Sequence, residues 1–201
     1  MSGIFITGTD TGIGKTYITL LLANYFKGEG IDVGIMKPIS AGSQKENDAL
    51  YFKKRLKLKD PISLINPVHL NLPLAPYVAA TETKTTINMK KIFHAFNDLQ
   101  TQHAMILVEG VGGVLVPIKK DYFVADMIKD FGLPTIVVAR AGLGTINQTL
   151  LTVEALKRRK INIYGIIMNG FKGKELSEKT NVKMIEELSG IRVIAQIPWK
   201  K

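Results

Sequence analysis

Residues 3–16 read Gly-Ile-Phe-Ile-Thr-Gly-Thr-Asp-Thr-Gly-Ile-Gly-Lys-Thr, and the rest of the chain is arranged around them. An apolar, strand-like run leads into a glycine-rich turn, and an apolar stretch of helical length begins at Thr16. In this order, the loop N–H groups and the positive end of the helix dipole form an anion site. The stretch therefore predicts a phosphate-binding loop in which Lys15 reaches the β- and γ-phosphates and the Thr16 hydroxyl ligates Mg²⁺.

This loop departs from the strict G-x-x-x-x-G-K-[ST] pattern at its first glycine. The pattern requires glycine at position 9, where the chain has Thr9, and Gly8 lies one residue early. The alternative interpretation is an ordinary glycine-rich β–α turn that happens to carry a lysine in the first helical turn. The strand before the loop and the helix after it favour the phosphate-binding interpretation.

Composition limits the class of protein. A chain of 201 residues predicts a single domain over 1–201, and the absence of cysteine excludes a disulfide framework and favours a cytoplasmic location. The sequence contains no secretory signal pattern and no apolar run near the ~18 residues of a membrane span. The net charge of +10 comes from lysines spread along the chain without a nucleic-acid-binding motif, so neither nucleic acid nor membrane is an expected partner.

Strand-like and helix-like segments alternate along the whole chain. This alternation predicts an α/β fold of three layers, in which a mainly parallel sheet is covered by helices on both faces. The proline-rich stretch 60–87 is expected to be an ordered loop, and residues 40–48 a polar loop. Further strands are predicted at 33–37, 105–109, 134–139, 163–168 and 193–197, and further helices at 48–58, 88–102, 145–159 and 177–189.

Charged residues follow two of the predicted strands, where ligands bind in open parallel sheets. Glu109 ends a buried strand and precedes glycines, as in the Walker B arrangement of Mg²⁺-dependent phosphoryl transfer. Lys37 either faces the same phosphates as Lys15 or extends to solvent from the strand end. Asp48 either caps the helix that it begins or binds metal.

Two further features are expected at or near the other strand ends. Residues Gly144 to Asn147 offer a second helix start able to bind an anion, with Thr145 as its N-cap. The histidines, in contrast, have no metal-ligand spacing and are expected to be structural or exposed.

Taken together, these residues resemble those of the dethiobiotin synthetase family, the ATP-dependent carboxylases that close the ureido ring in biotin biosynthesis. The resemblance covers nearly the whole chain and is carried by Gly8-Thr-Asp-Thr-x-x-Gly-Lys-Thr16, Lys37-Pro38 followed by Gly42, Asn47-Asp-Ala-Leu50, Val108-Glu-Gly-Val-Gly-Gly113, Leu143-Gly-x-Ile-Asn147, Asn169 and Ile197-Pro-Trp199.

The resemblance implies a reaction of 7,8-diaminopelargonic acid, CO₂ and MgATP that gives dethiobiotin, ADP and phosphate through a carbamate and a carbamic-phosphoric anhydride. It also implies a homodimer in which the helix start at 144–147 anchors the substrate carboxylate across the interface. Lys15 and Lys37 would then be catalytic, and Thr16, Asp48 and Glu109 would bind Mg²⁺.

The resemblance assigns the remaining site residues as well. The substrate-binding set is Thr11, Lys37, Ala41, Gly144, Thr145 and Asn147. The ATP-binding set is Gly12, Ile13, Gly14, Lys15, Thr16, Tyr17, Asp48, Glu109, Gly110, Val111, Gly112, Asn169, Gly170 and Pro198, with Asn169 at the adenine.

Three positions differ from the family pattern. Ala41 stands where relatives often have serine, and Gly12 where they often have an acidic residue. Relatives continue beyond the position of Lys201 with a segment that helps enclose adenine, so weak discrimination between nucleotide bases is expected.

Two alternative functions compete with the synthetase interpretation. A partner-switching ATPase similar to MinD and ParA would carry a signature lysine five residues before Lys15, where this chain has Asp10. The other alternative is a related ATP-dependent amidating or carboxylating ligase that acts on another substrate.

Overall fold

The computed structural model describes residues 2–43 and 47–199, so the middle of the polar loop predicted at 40–48 lies outside the described residues. The strands are β1 Ser2–Gly8, β2 Val33–Met36, β3 Ile39–Ala41, β4 Val68–Leu70, β5 Met105–Glu109, β6 Pro117–Lys119, β7 Tyr122–Phe123, β8 Thr135–Arg140, β9 Ile163–Phe171 and β10 Val193–Pro198. The helices are α1 Lys15–Gly28, α2 Asp48–Leu56, α3 Ile62–Ile65, α4 Pro76–Glu82, α5 Met89–Gln102, α6 Val124–Phe131, α7 Thr145–Arg158 and α8 Leu176–Ser189.

The main sheet contains six strands in the order β10-β9-β8-β1-β5-β2, and all of its pairs are parallel. The predicted α/β fold class is therefore confirmed. Since parallel strands share one direction, their carboxyl ends meet at a single edge. The ends of β1, β2 and β5, which are neighbours in the sheet, bring the phosphate-binding loop, Lys37 and Glu109 to that edge.

Two apolar cores lie on opposite faces of this sheet because successive side chains of a strand alternate in direction. In β1, Ile4 and Ile6 join the core that α1 and α2 cover, whereas Phe5 joins the core beneath α5, α6 and α7. The central strands β1 and β5 are buried on both faces. This burial holds the backbone at the carboxyl edge in place.

The helix-cap alternative for Asp48 and the predicted N-cap of α7, Thr145, are both wrong. The side chain of Asn47, and not that of Asp48, caps α2 and accepts a hydrogen bond from Ala49 N at 2.8 Å. Asp48 is the first helical residue, and its carboxylate points to Lys37. The N-cap of α7 is Gly144, whose φ of 86° is in the left-handed region, and Thr145 lies one residue inside the helix.

Three stretches contain structure that the sequence did not predict: Ile39–Ala41, which enters the loop predicted at 40–48, the loop predicted at 60–87, and residues 117–131, where β6, β7 and α6 lie. The expected loop at 60–87 forms α3, β4 and α4, and β4 pairs with β3 in a separate two-stranded sheet. These elements are short, and their prolines are typical of loops, so the sequence pattern predicts a loop. Pro76 nevertheless lies in the first turn of α4, where proline is tolerated. Helix α6 was detectable, since its buried residues follow helical spacing.

Within the described residues, every helix is too short or too polar to cross a lipid bilayer.

Candidate active site

A cavity of about 360 Å³ opens at the carboxyl edge of the sheet, between the ends of β1, β2 and β5. We call it the phosphate cavity. It brings together most of the residues assigned to phosphate, metal and substrate: its lining consists of Thr11, Gly12, Gly14, Lys15, Thr16, Lys37, Ser40, Ala41, Asp48, Glu109, Val111 and Gly112.

The phosphate-binding loop reaches α1 through Gly14, which is the N-cap residue with a φ of 92°. The positive φ strains any other residue, and a β-carbon on Gly14 would also clash with the Asn169 side-chain nitrogen, so this position favours glycine. Lys15 begins the helix, is buried, and donates through Nζ to the Asp10 carbonyl at 2.8 Å. The loop thus wraps around the Lys15 ammonium.

Lys37 lies in the floor of the cavity and is only 4% exposed. Its Nζ lies 2.8 Å from Asp48 Oδ2, donates to Glu109 Oε1, and lies 3.2 Å from the Gly110 carbonyl oxygen. The interpretation of Lys37 as a lysine that extends to solvent is therefore wrong. The Lys37 ammonium, held between two carboxylates, faces the phosphate cavity and can neutralise negative charge on a group bound there.

The two lysines have opposite pKa shifts. Burial lowers the pKa of Lys15 to about 8, and repulsion from the Lys37 ammonium adds to this effect. Burial also acts to lower the pKa of Lys37, but the Glu109 and Asp48 carboxylates outweigh it and raise that pKa above its usual value. Lys37 therefore keeps its proton, whereas the lowered pKa of Lys15, about 8, lets Lys15 lose its proton in mildly alkaline solution.

We expect ATP binding at pH 8 to be accompanied by proton uptake. Phosphate oxygens beside Lys15 favour its charged form, so its pKa rises from about 8 when the nucleotide binds. The affinity for ATP should consequently fall as the pH rises above about 8, the pKa of Lys15 before the nucleotide binds. Calorimetry in buffers of different ionisation enthalpy measures the uptake. The Lys15→Arg variant, which stays charged, should show none. Equal heats for the wild type in all buffers would contradict this expectation.

The donor set of the phosphate cavity fits a magnesium ion. Glu109 is 1% exposed and its Oε1 accepts from Thr16 Oγ1 at 3.0 Å, but its Oε2 has no hydrogen-bond partner among the described residues. A buried carboxylate oxygen without a partner is costly unless a cation or water satisfies it. Asp48 and Thr16 offer further oxygens nearby. Since Mg²⁺ keeps several waters and phosphate oxygens, two carboxylates and a hydroxyl are a sufficient protein contribution.

A second cavity, of about 690 Å³, lies beside the first along the sheet edge, and we call it the base cavity. Its lining consists of Gly12, Ile13, Gly14, Tyr17, Arg140, Gly142, Leu143, Asn169, Gly170, Lys172, Glu175, Glu178, Pro198 and Trp199. Asn169 donates from Nδ2 to the Ile13 carbonyl at 2.8 Å, so this amide joins the base cavity to the phosphate-binding loop.

Three residues assigned to the substrate lie elsewhere. Gly144, Thr145 and Asn147 are at the start of α7, outside the set of residues that line the phosphate cavity.

Ser40, which lines the phosphate cavity, has its hydroxyl within hydrogen-bond distance of Asn66 and His69. Sequence reasoning missed Trp199 in the base cavity, although an aromatic residue directly after the last strand end was a usable signal.

Comparisons with known proteins identify relatives of this chain. A family model described as an AAA domain matches residues 2–201. The ATP-dependent dethiobiotin synthetase BioD of Nitrosopumilus maritimus is 39% identical over 206 residues, which cover 100% of this chain and 90% of that protein. The protein of the same name from Methanocaldococcus jannaschii is 43% identical over 199 residues, which cover 95% of this chain and 91% of that protein.

Among solved structures, the MinC:MinD cell division protein complex of Aquifex aeolicus matches with a TM-score of 0.63. The match covers 100% of this chain and 82% of that chain at 17% sequence identity. At this identity the likeness concerns the fold alone. The partner-switching alternative therefore has no support beyond a shared fold.

Proposed function

Since this chain belongs to the dethiobiotin synthetase family, we propose that it converts 7,8-diaminopelargonic acid, CO₂ and ATP to dethiobiotin, ADP and phosphate. The enzyme is an ATP-dependent cyclo-ligase. The observation that carries the proposal is the buried Lys37 ammonium, which lies between Glu109 and Asp48 in the same cavity as the phosphate-binding loop.

In the proposed reaction, one substrate amine adds to CO₂ and loses a proton to form a carbamate. A carbamate oxygen then attacks the γ-phosphorus, and the bond to the bridging oxygen breaks so that ADP leaves. The second amine attacks the carbonyl carbon of the resulting anhydride, loses its proton and displaces phosphate, which closes the ring. Each step needs reacting groups held close together and negative charge neutralised, with little covalent work for the protein.

Lys15 and Lys37 supply the positive charge that neutralises the carbamate and phosphate oxygens. Both ammonium groups line the phosphate cavity, so the carbamate oxygens and the γ-phosphate would lie between two cations. The raised pKa of Lys37 keeps it charged through the transfer. Because these groups are already buried and oriented, they can stabilise the transferred phosphoryl group without rearranging. The free N–H groups at the start of α1 add to this field.

Thr16, Asp48 and Glu109 would hold Mg²⁺, which would neutralise the charge on the phosphate groups. The buried Glu109 Oε2, which has no partner among the described residues, supports this assignment.

We expect Glu109→Gln and Asp48→Asn each to raise the Mg²⁺ concentration for half-maximal rate, by on the order of tenfold or more. Both substitutions remove a charge from the metal site and nearly preserve shape. Titration of the rate with Mg²⁺ at saturating ATP tests this expectation. Glu82→Gln and Asp98→Asn are matched controls on exposed helix surfaces. An unchanged Mg²⁺ requirement in both site variants would remove these carboxylates from the metal site.

The other ends of the ligands are assigned by family resemblance, with support from their location. The adenine and ribose would occupy the base cavity beside Asn169, Gly170 and Pro198. Thr11 and Ala41 would lie near the substrate diamine. The start of α7 lies outside the phosphate cavity of its own chain, which is compatible with a homodimer in which a partner supplies Gly144, Thr145 and Asn147. Weak base selectivity, a single domain and a cytoplasmic location stay predictions.

A phosphate-release assay tests the proposed function. ATP turnover should require both diaminopelargonic acid and bicarbonate, and each should be omitted in turn. Phosphate release at full rate without the diamine would overturn the proposal. Turnover with another amine or acid in place of the diamine would point to a related ligase.

A further inference from the structure

A largely buried network of polar side chains contacts the main chain of Lys37 through Asn66. We call it the Asn66 network and define it as Ser40, Asn47, Asn66 and His69. Ser40, Asn47 and Asn66 are all buried. The proposed reaction assigns no role to these four residues.

Asn66 is the centre of this network. Its Nδ2 donates to the Lys37 carbonyl at 2.7 Å and to the Val68 carbonyl at 2.9 Å. Its Oδ1 accepts from Ser40 Oγ at 2.7 Å and from Asn47 Nδ2 at 3.2 Å. Both donors and both acceptor positions of the amide are therefore used, so the side chain has one favoured orientation.

The network also reaches the carboxylate partner of Lys37. Asn47 accepts from Ala49 N at 2.8 Å and is thus the N-cap of α2, and the next residue is Asp48. Asp48 Oδ2 lies 2.8 Å from Lys37 Nζ. Through Asn47, the Asn66 amide is joined to the helix start that carries Asp48. Through its own Nδ2, it is joined to the main chain of Lys37.

The backbone N–H and C=O of Lys37 are hydrogen-bonded by Ile65 and Asn66 and, among the described residues, by no strand partner. Lys37 lies just past the end of β2, and the next residue is Pro38, which has no N–H to donate. Lys37 N donates to the Ile65 carbonyl at 2.7 Å, and Lys37 O accepts from Asn66. Two consecutive residues, 65 and 66, therefore hold both backbone polar groups of Lys37.

We infer that Asn66 is a positioning residue, which fixes the Lys37–Asp48 pair relative to the phosphate-binding loop. The inference that this pairing affects turnover rests on the proposed function, but the geometry of the pair does not. Loss of the Asn66 amide frees the Lys37 carbonyl and the start of α2 together. A displacement of about 1 Å in a reacting group can lower a rate by on the order of 10²-fold.

The test compares Asn66→Ala with Asn88→Ala. Asn88 is the N-cap of α5 and accepts from Lys91 N at 3.1 Å, so its loss weakens a helix start without touching Lys37 or Asp48. We expect Asn66→Ala to lower kcat by about 10²-fold with little change in the KM for ATP. It should also raise the half-saturating Mg²⁺ concentration. Asn88→Ala should lower the melting temperature and leave kcat unchanged.

Wild-type kcat in Asn66→Ala, or a loss no larger than that of Asn88→Ala, would show that the network is only structural and overturn the inference. If Asn66→Ala does not fold, Asn66→Asp removes the same two donors at nearly constant volume and carries the same expectation. If the wild type shows no diamine-dependent turnover, the proposed function fails. Calorimetry with a non-hydrolysable ATP analogue then decides: Asn66→Ala should need more Mg²⁺ for binding than Asn88→Ala, and equal requirements would overturn the inference.

Discussion

Replacing Lys37 by alanine is expected to lower kcat by on the order of 10²-fold or more, with a much smaller effect on MgATP binding. The Lys37 ammonium lies deep in the phosphate cavity, held by Glu109 and Asp48, whereas in the proposed site the loop around Lys15 would supply most contacts to the triphosphate. On the proposed function, Lys37 would therefore act chiefly on charge that develops during the transfer. Steady-state kinetics, combined with calorimetric binding of an ATP analogue, separate the two effects.

Three variants make this result interpretable. Lys37→Arg should not restore the rate, because a planar guanidinium replaces a compact ammonium in a filled, buried space. Lys37→Met keeps most of the side-chain volume and should be as slow as the alanine variant. Lys90→Ala removes an exposed lysine and should behave like the wild type. A wild-type kcat in Lys37→Ala would mean that the buried lysine serves stability alone.

Stability must be measured with these variants. Loss of the Lys37 ammonium leaves the nearly buried Glu109 carboxylate without its main cation, and breaking such a pair costs about 3–5 kcal/mol. Rates should therefore be taken well below the melting temperature of each variant. The same substitution removes a repulsion on Lys15, so the pKa of Lys15 should rise and nucleotide affinity at pH 8.5 should fall less than the rate does.

Gly14→Ala is expected to weaken ATP binding by on the order of 10²-fold, equivalent to about 2.7 kcal/mol. Alanine at the φ of 92° adopted by Gly14 is strained, at a cost of roughly 1–3 kcal/mol. Its β-carbon would also displace the Asn169 amide, which donates to the Ile13 carbonyl. The lost hydrogen bond contributes a further ~0.5–1.5 kcal/mol. One methyl group thus disturbs both the phosphate-binding loop and the base cavity.

Gly28→Ala is the matched control, because a β-carbon at this last residue of α1 would meet no heavy atom within 4 Å. It should bind ATP like the wild type. Binding of a fluorescent ATP analogue and melting temperatures of both variants provide the comparison. If Gly14→Ala keeps wild-type affinity, the loop is flexible enough to absorb the methyl group, and the preference for glycine at this position is wrong.

The sequence by itself determined the fold class, the phosphate-binding loop and the positions of the six strands of the main sheet. These features depend on local signals: apolar periodicity, glycine in a tight turn, and a helix that follows at once. Lys37 and Glu109 could also be placed at one edge of the sheet, because each ends a predicted strand and parallel strands have their carboxyl ends together. Helix α6 carried a similar signal and was predictable in principle.

Only the tertiary structure decided how the charged and amide side chains pair. Asn47 and Asp48 are adjacent residues that both make good helix caps, and the choice was made by Lys37, whose ammonium holds the Asp48 carboxylate. Likewise, the Asn169 amide bonds to Ile13 and the Asn66 amide bonds to Lys37, across 156 and 29 residues of chain. Such contacts depend on distances between segments that fold together, and no periodicity or local preference encodes them.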